Sequence, residues 1–201
     1  MNIKEIIEEA YDLGMVQNEY EITEAAKFVE KLNVKDFVEI GTDRGGTFMV
    51  WGRLSDPEGT KISVDWVAGP WSSTNSIMHE PFDLQRRNDA MRTVGKNVHI
   101  LNGDSHSEEM VRHVKSILGD KKVDFLFIDG DHSYLGVKLD FYMYKQFVKP
   151  GGWIGFHDIK NTDHHHNEHC FVDQFWEELN YEKVWFRSDN NWGGIGFIQV
   201  N

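Results

Sequence analysis

Two short clusters in this chain pair acids with imidazoles: Asp129-Gly-Asp-His132 and His157-Asp158. Each closes an apolar run, Val123-Asp-Phe-Leu-Phe-Ile128 before the first and Trp153-Ile-Gly-Phe156 before the second. Such runs read as parallel strands covered on both faces. Both clusters then fall at the carboxyl ends of neighbouring strands, the edge where open α/β sheets bind ligands. A third stretch offers different chemistry. Phe37-Val-Glu-Ile40 runs into Gly41-Thr-Asp-Arg-Gly-Gly46 and then into Thr47-Phe-Met-Val-Trp51. Strand, glycine turn and helix are the layout of a nucleotide-type cofactor site. Glycine lets the backbone approach a ligand, and the helix N-terminus carries partial positive charge. The pattern is neither G-x-G-x-x-G nor a P-loop, and a tight turn with no ligand is the plainer alternative. Asp65 ends the next strand, Lys61–Asp65, where an acid can accept hydrogen bonds from both ribose hydroxyls of an adenosine cofactor. Trp66 beside it could stack on adenine or belong to the core.

The remaining elements must position these groups. Helical periodicity covers residues 2–13 and 22–32, with Gln17 between them either facing a ligand or lying in a solvated link. Residues 67–81 are rich in turn formers and aromatics and read as a long loop that could serve as a substrate lid, followed by a helix over 82–93. Asn97–Leu101 is a third strand ending in the polar turn Asn102-Gly-Asp-Ser-His106, and Glu108–Leu118 a helix. A helix over Gly136–Val148 is stopped by Lys149-Pro-Gly-Gly152. Asp163-His-His-His-Asn-Glu-His169 is a loop whose imidazoles, His164 to His166 and His169, either touch substrate or metal or are merely solvated. Val172–Leu179 is a helix, and Lys183–Arg187 and Gly194–Val200 are strands joined as an antiparallel hairpin through Asn190–Gly194. The whole forms one domain, with residues 1–33 as helices covering the site and 34–201 as the core.

The 201 residues suit one α/β domain. A net charge of -12 without a basic stripe argues against nucleic acid and against an anionic membrane surface. No apolar run reaches the roughly 18 residues of a membrane span. The first residues read as an acidic amphipathic helix and not as a signal peptide. The single Cys170 fits a reducing, cytoplasmic setting.

Five alternating β/α units and two further strands resemble the class I S-adenosylmethionine-dependent methyltransferases, a Rossmann-like α/β fold. That fold has a seven-stranded, mostly parallel sheet with an antiparallel last strand and helices on both faces. Val38-Glu-Ile-Gly-Thr-Asp-Arg-Gly-Gly46 resembles their first motif, Asp65 matches the ribose-binding acid, and Gly103-Asp-Ser-His106 resembles the adenine-contacting turn. The stretches Phe127–Tyr134 and Lys149–Asp158 resemble the small-molecule O-methyltransferases of the catechol and caffeoyl-CoA type. They are closer still to relatives described as macrocin O-methyltransferase-like or cephalosporin hydroxylase-like. The resemblance covers roughly residues 17–200. It implies a cofactor site of Glu39, Gly41, Thr42, Gly45, Asp65, Trp66, Asp104, Ser105, His106 and Asp129.

It also implies a divalent cation, usually magnesium, held by Asp129 with His157 and Asp158. Here the pattern departs from the family, because His-Asp stands where the catechol type has Asp-Asn. Magnesium prefers oxygen, whereas imidazole suits zinc, manganese, iron or nickel. His157 could instead hydrogen-bond, leaving Asp158 as the second ligand with Asp131 or a loop residue. His132 stands where those enzymes carry a lysine base, and imidazole can take a hydroxyl proton near neutral pH. Capping the next helix or orienting Asp129 is its alternative role. The implied activity is metal-assisted O-methyl transfer to a hydroxyl of a small molecule such as a diol, catechol or sugar, with Asp129 and His132 catalytic. A cofactor-binding protein without transfer activity, or a partner subunit, is the other reading, and a homo-oligomer is open. A nicotinamide dehydrogenase is disfavoured by the missing G-x-G-x-x-G, and a two-His, one-carboxylate oxygenase by the missing β-barrel.

Overall fold

A computed structural model of the protein describes residues 1–67, 69 and 83–201. Most of the lid expected over 67–81, and the first residue of the helix expected over 82–93, lie outside the described residues. The strands are β1 (Phe37–Ile40), β2 (Thr60–Asp65), β3 (Asn97–Asn102), β4 (Val123–Ile128), β5 (Val148–Phe156), β6 (Lys183–Phe186) and β7 (Ile195–Gln199). They form one sheet in the order β3-β2-β1-β4-β5-β7-β6. All pairs among β1 to β5 are parallel, and β7 runs antiparallel to both of its neighbours. This is the expected sheet of a Rossmann-like methyltransferase.

The helices are α1 (Ile3–Leu13), α2 (Glu19–Lys31), α3 (Gly46–Leu54), α4 (Leu84–Arg92), α5 (Glu108–Leu118), α6 (Tyr134–Tyr144), α7 (Asp163–Asn167) and α8 (Val172–Glu178). Alternate residues of a strand point to opposite faces. On β4, Leu126 and Ile128 pack with residues of α5, α6 and α8, while Phe125 and Phe127 pack with residues of α1, α2 and α3. Past Asp124 the strand is therefore apolar on both faces up to Ile128, and the polar cluster begins only beyond it. Asn2 closes α1 with a reciprocal capping box to Glu5. Asn18 caps α2 by accepting from the Glu21 N–H at 3.2 Å, which places the start of α2 three residues earlier than periodicity suggests. Gly14, the left-handed C-cap of α1, and Asn18 bound a short connection that carries Gln17 to the sheet edge.

Two local expectations change. Residues 145–147 are a 3-10 turn, not the end of a helix, and β5 begins at Val148. Pro150 is accommodated because the β4–β5 register shifts between Val123 and Phe125, so no ladder bond depends on its missing N–H. The histidine-rich stretch is not a loop: Thr162 caps α7 by accepting from the His165 N–H at 3.1 Å.

Candidate active site

The cleft at the carboxyl edge of β1, β2, β3, β4 and β5 has a volume of about 820 Å³. Its floor is where β1 leaves the sheet. Gly41 has φ of 77°, and a Cβ there would stand 2.0 Å from the Asp129 carbonyl oxygen and 2.6 Å from the Gly130 Cα. Only glycine lets these two turns touch, so the bend after β1 and the turn after β4 form one surface. Gly46 fills the same need on the other side, where a Cβ would meet Met15 of the α1–α2 connection at 2.3 Å. Gly45 is the left-handed N-cap of α3 and does not line the cleft.

Asp65 ends β2 and lines the cleft, but it is shared. Its Oδ1 accepts from the Thr42 N–H at 3.3 Å and its Oδ2 from Arg87 Nη2 at 2.9 Å. Burial raises the Asp65 pKa, and the Arg87 guanidinium opposes that rise. Arg87, from α4, is 2% exposed and escaped the sequence reading, since nothing local marks an arginine that will be buried against an acid 22 residues away. Trp66 lines the cleft and is 47% exposed, so it is not core. Thr42 lines the cleft and shares a 2.7 Å hydrogen bond with Ser63. Glu39 does not line it. It is fully buried beneath the bend, where Thr47 Oγ1 donates to its Oε1 at 2.8 Å, and burial holds its pKa well above the usual range.

Across the cleft, Asp104, Ser105 and His106 follow β3. Asp104 accepts from the His106 N–H at 2.9 Å, and Tyr144 Oη donates to the Ser105 carbonyl at 2.9 Å. The His106 ring stands with Nε2 3.2 Å from Oδ1 of the fully buried Asp140. The bond to Asp140 raises the His106 pKa above 6.5 against its partial burial.

The acids and imidazoles singled out at the ends of β4 and β5 converge. His132 Nε2 lies 3.2 Å from Asp129 Oδ1, and its Nδ1 lies 3.3 Å from Asp158 Oδ2. His157 Nδ1 lies 3.2 Å from Oδ1 of both acids. Gln17 Nε2 donates to Asp129 Oδ2 at 3.1 Å, bringing the N-terminal connection onto the cluster. Asp158 has φ of 60°, a left-handed conformation for a non-glycine residue that aims its carboxylate back toward His132. Asp131 also lines the cleft and accepts from the Ser133 N–H at 2.9 Å.

The charges alternate, and the pKa directions follow. Burial opposes the charged form of His132, yet the carboxylates of Asp129 and Asp158 push its pKa up to about 9. His157 is raised well above its usual value against burial by the same two acids. Asp129 and Asp158 are held below the carboxylate range by His157 and His132, again against burial.

A divalent cation would fit this donor set. Ligand atoms of Asp129, His157 and Asp158 lie within 4.8 Å of one another, as do those of His132, Asp158 and Cys170. Mixed nitrogen and oxygen donors suit manganese, iron or zinc better than the all-oxygen shell magnesium prefers.

The histidine-rich α7 divides its imidazoles. His165 is buried and accepts from the Gly193 N–H at Nε2, 2.9 Å, so Nδ1 carries the proton toward the Lys160 carbonyl, also at 2.9 Å. His166 pairs with the buried Asp173, while His169 lines the cleft. The choice between a contact lid and a solvated stretch therefore differs from one imidazole to the next.

Comparison with known proteins agrees with this arrangement. Residues 38–159 match a family model described as a methyltransferase domain. An uncharacterised protein of Acanthamoeba polyphaga mimivirus is 30% identical over 125 residues, which is 62% of this chain and 52% of that protein. The chain thus spans about half the length of that curated relative. Among solved structures, an O-methyltransferase from Bacillus cereus in complex with S-adenosylhomocysteine superposes with a TM-score of 0.65 at 13% identity, covering 99% of this chain and 90% of that one. The O-methyltransferase TomG of Streptomyces achromogenes, involved in tomaymycin synthesis and solved with S-adenosylmethionine, gives 0.61 at 14% identity, covering 99% and 89%. At these identities the likeness is one of fold.

Proposed function

This chain belongs to the methyltransferase-domain family, and from that premise we propose that it transfers a methyl group from S-adenosylmethionine to a hydroxyl of a small molecule. One observation carries the reading: Asp129, His132, His157 and Asp158 meet beside the glycine bend that packs directly on the Asp129 carbonyl. The cofactor lies over Gly41, with its ribose at Asp65 and its adenine between Trp66 and the Asp104–His106 turn. The acceptor lies over the acid–imidazole cluster.

His132 is the half-exposed imidazole of the cluster and takes the acceptor proton. Asp129 and Asp158 stabilise the imidazolium that results, so the transfer ends in the state this site holds best. The resulting oxyanion attacks the sulfonium methyl in line, the methyl–sulfur bond breaks to release neutral S-adenosylhomocysteine, and both charges are quenched. Catalysis therefore rests mainly on positioning. A divalent cation bound by Asp129, His157 and Asp158 would lower the acceptor hydroxyl pKa and orient a vicinal oxygen. The complete cluster favours an enzyme over a cofactor-binding subunit, and the acidic surface favours a small molecule over nucleic acid.

Calorimetric titration of S-adenosylmethionine tests the cofactor assignment. Wild type binds, and Asp65→Asn and Asp65→Ala weaken binding by about tenfold or more, the loss of one to two hydrogen bonds to a charged acceptor. Equal binding by all three proteins removes it. Turnover on diols and sugars, with and without chelator, tests transfer and the metal separately.

A further inference from the structure

The connection between β6 and β7 is a surface segment held by buried polar groups from three other parts of the chain. Glu21 of α2 is fully buried and accepts from the Ser188 N–H at 2.7 Å, the Ser188 hydroxyl at 2.6 Å and the Gly194 N–H at 2.7 Å. His165 of α7 accepts from the Gly193 N–H, and Lys160 Nζ donates to the carbonyls of Ser188, at 2.9 Å, and Asn190. Burying a carboxylate, an imidazole and an ammonium group is costly unless each is satisfied, and here Glu21, Lys160 and Nε2 of His165 all find partners in one short segment. That segment carries Trp192. Its ring lines the cleft beside the acid–imidazole cluster, 6.5 Å from the His157 ring at an interplanar angle of 75°.

The field in the cleft has one sign. Among the described residues its lining holds seven carboxylates against a single guanidinium, Arg44, and no lysine. Such a field attracts a cationic donor and repels phosphate or carboxylate groups on an acceptor.

We infer that residues 188–194 form the acceptor-selecting wall, and that Trp192 is its specificity-determining residue. The acceptor is an uncharged hydroxylated ring packed against that indole, with its hydroxyls toward Asp129 and Asp158. Glu21, His165 and Lys160 are positioning residues that hold the wall. The inference rests on the functional reading above for which end of the cleft takes the acceptor.

The test uses the full chain loaded with S-adenosylhomocysteine and three calorimetric probes: catechol, methyl α-D-glucopyranoside and 3,4-dihydroxybenzoate. At least one neutral probe binds, its identity separating a phenolic from a sugar acceptor. The added carboxylate weakens catechol binding by about tenfold or more. Trp192→Ala weakens the neutral probe by a similar factor and Trp192→Phe recovers most of it. Glu21→Gln weakens it severalfold, and none of the three changes moves S-adenosylhomocysteine affinity by more than about twofold. Equal binding of catechol and its carboxylate overturns the inference. So does unchanged binding by Trp192→Ala, or failure of both neutral probes. If S-adenosylhomocysteine itself does not bind, the cofactor assignment fails instead, and the same probes on the unloaded protein still decide the wall.

Discussion

Two imidazoles face the cleft from turns on either side of β1, and they live in different fields. His106, after β3, has its Nε2 3.2 Å from Asp140, which is fully buried and does not itself line the cleft, and its Nδ1 3.9 Å from Asp104, which does. His132, after β4, lies between two carboxylates that line the cleft themselves. Both have raised pKa values, but only His132 has a carboxylate within 3.3 Å of each ring nitrogen, and its side chain is 42% exposed against 22% for His106. On the function proposed above, the difference separates a group that fixes a turn from one that moves a proton.

His132→Ala has the largest expected effect on activity, a loss in kcat/KM of about 10²–10⁴-fold, with His106→Ala costing far less. Equal losses would break the distinction. In metal-free buffer the wild-type rate should climb about tenfold per pH unit toward about 9, because only the neutral imidazole accepts a proton. A flat profile identical to that of His132→Ala would assign the base elsewhere.

Stability sharpens the contrast. Asp129→Asn leaves His157 buried beside one acid instead of two, and urea unfolding should show a loss of up to about 3–5 kcal/mol. Asp140→Asn should cost less and act locally. The His106 titration midpoint, read by NMR, falls toward 6.5, and S-adenosylhomocysteine affinity changes only a fewfold. The linkage sign is the same for both imidazoles. A pKa raised on folding stabilises fully below the unfolded value near 6.5, and that contribution fades as pH rises through the folded value. For His132 the fading runs from about 6.5 to about 9. Wild type therefore loses stability with rising pH over that window, and Asp140→Asn loses less of it.

The strands were legible because burial on both faces leaves a local mark. Phe125, Leu126, Phe127 and Ile128 could be nothing but a covered strand, and the polar residues after them had to lie at its exit. The pairing of Asp129 with Asp158 followed once β4 and β5 were neighbours. Arg87, Asp140 and Glu21 were not legible, because a charged residue on an amphipathic helix looks solvated until its partner is known. Each is buried against groups distant in sequence, Glu21 by 167 and 173 residues. The family resemblance implies a cofactor contact for Glu39, but strand alternation turns its side chain under the floor toward Thr47.

The contact between Gly41 and the Asp129 carbonyl has a practical consequence for altering the donor. Backbone meets backbone there, so if the sulfonium sits over this bend as proposed, trimming side chains cannot deepen its seat. Room for an alkyl group larger than methyl must then come from side chains of the α1–α2 connection that line the cleft, with Val16 the freest to change because Gln17 is tied to Asp129 and Met15 packs on Gly46. Attempts to widen donor scope belong in that short stretch between the first two helices.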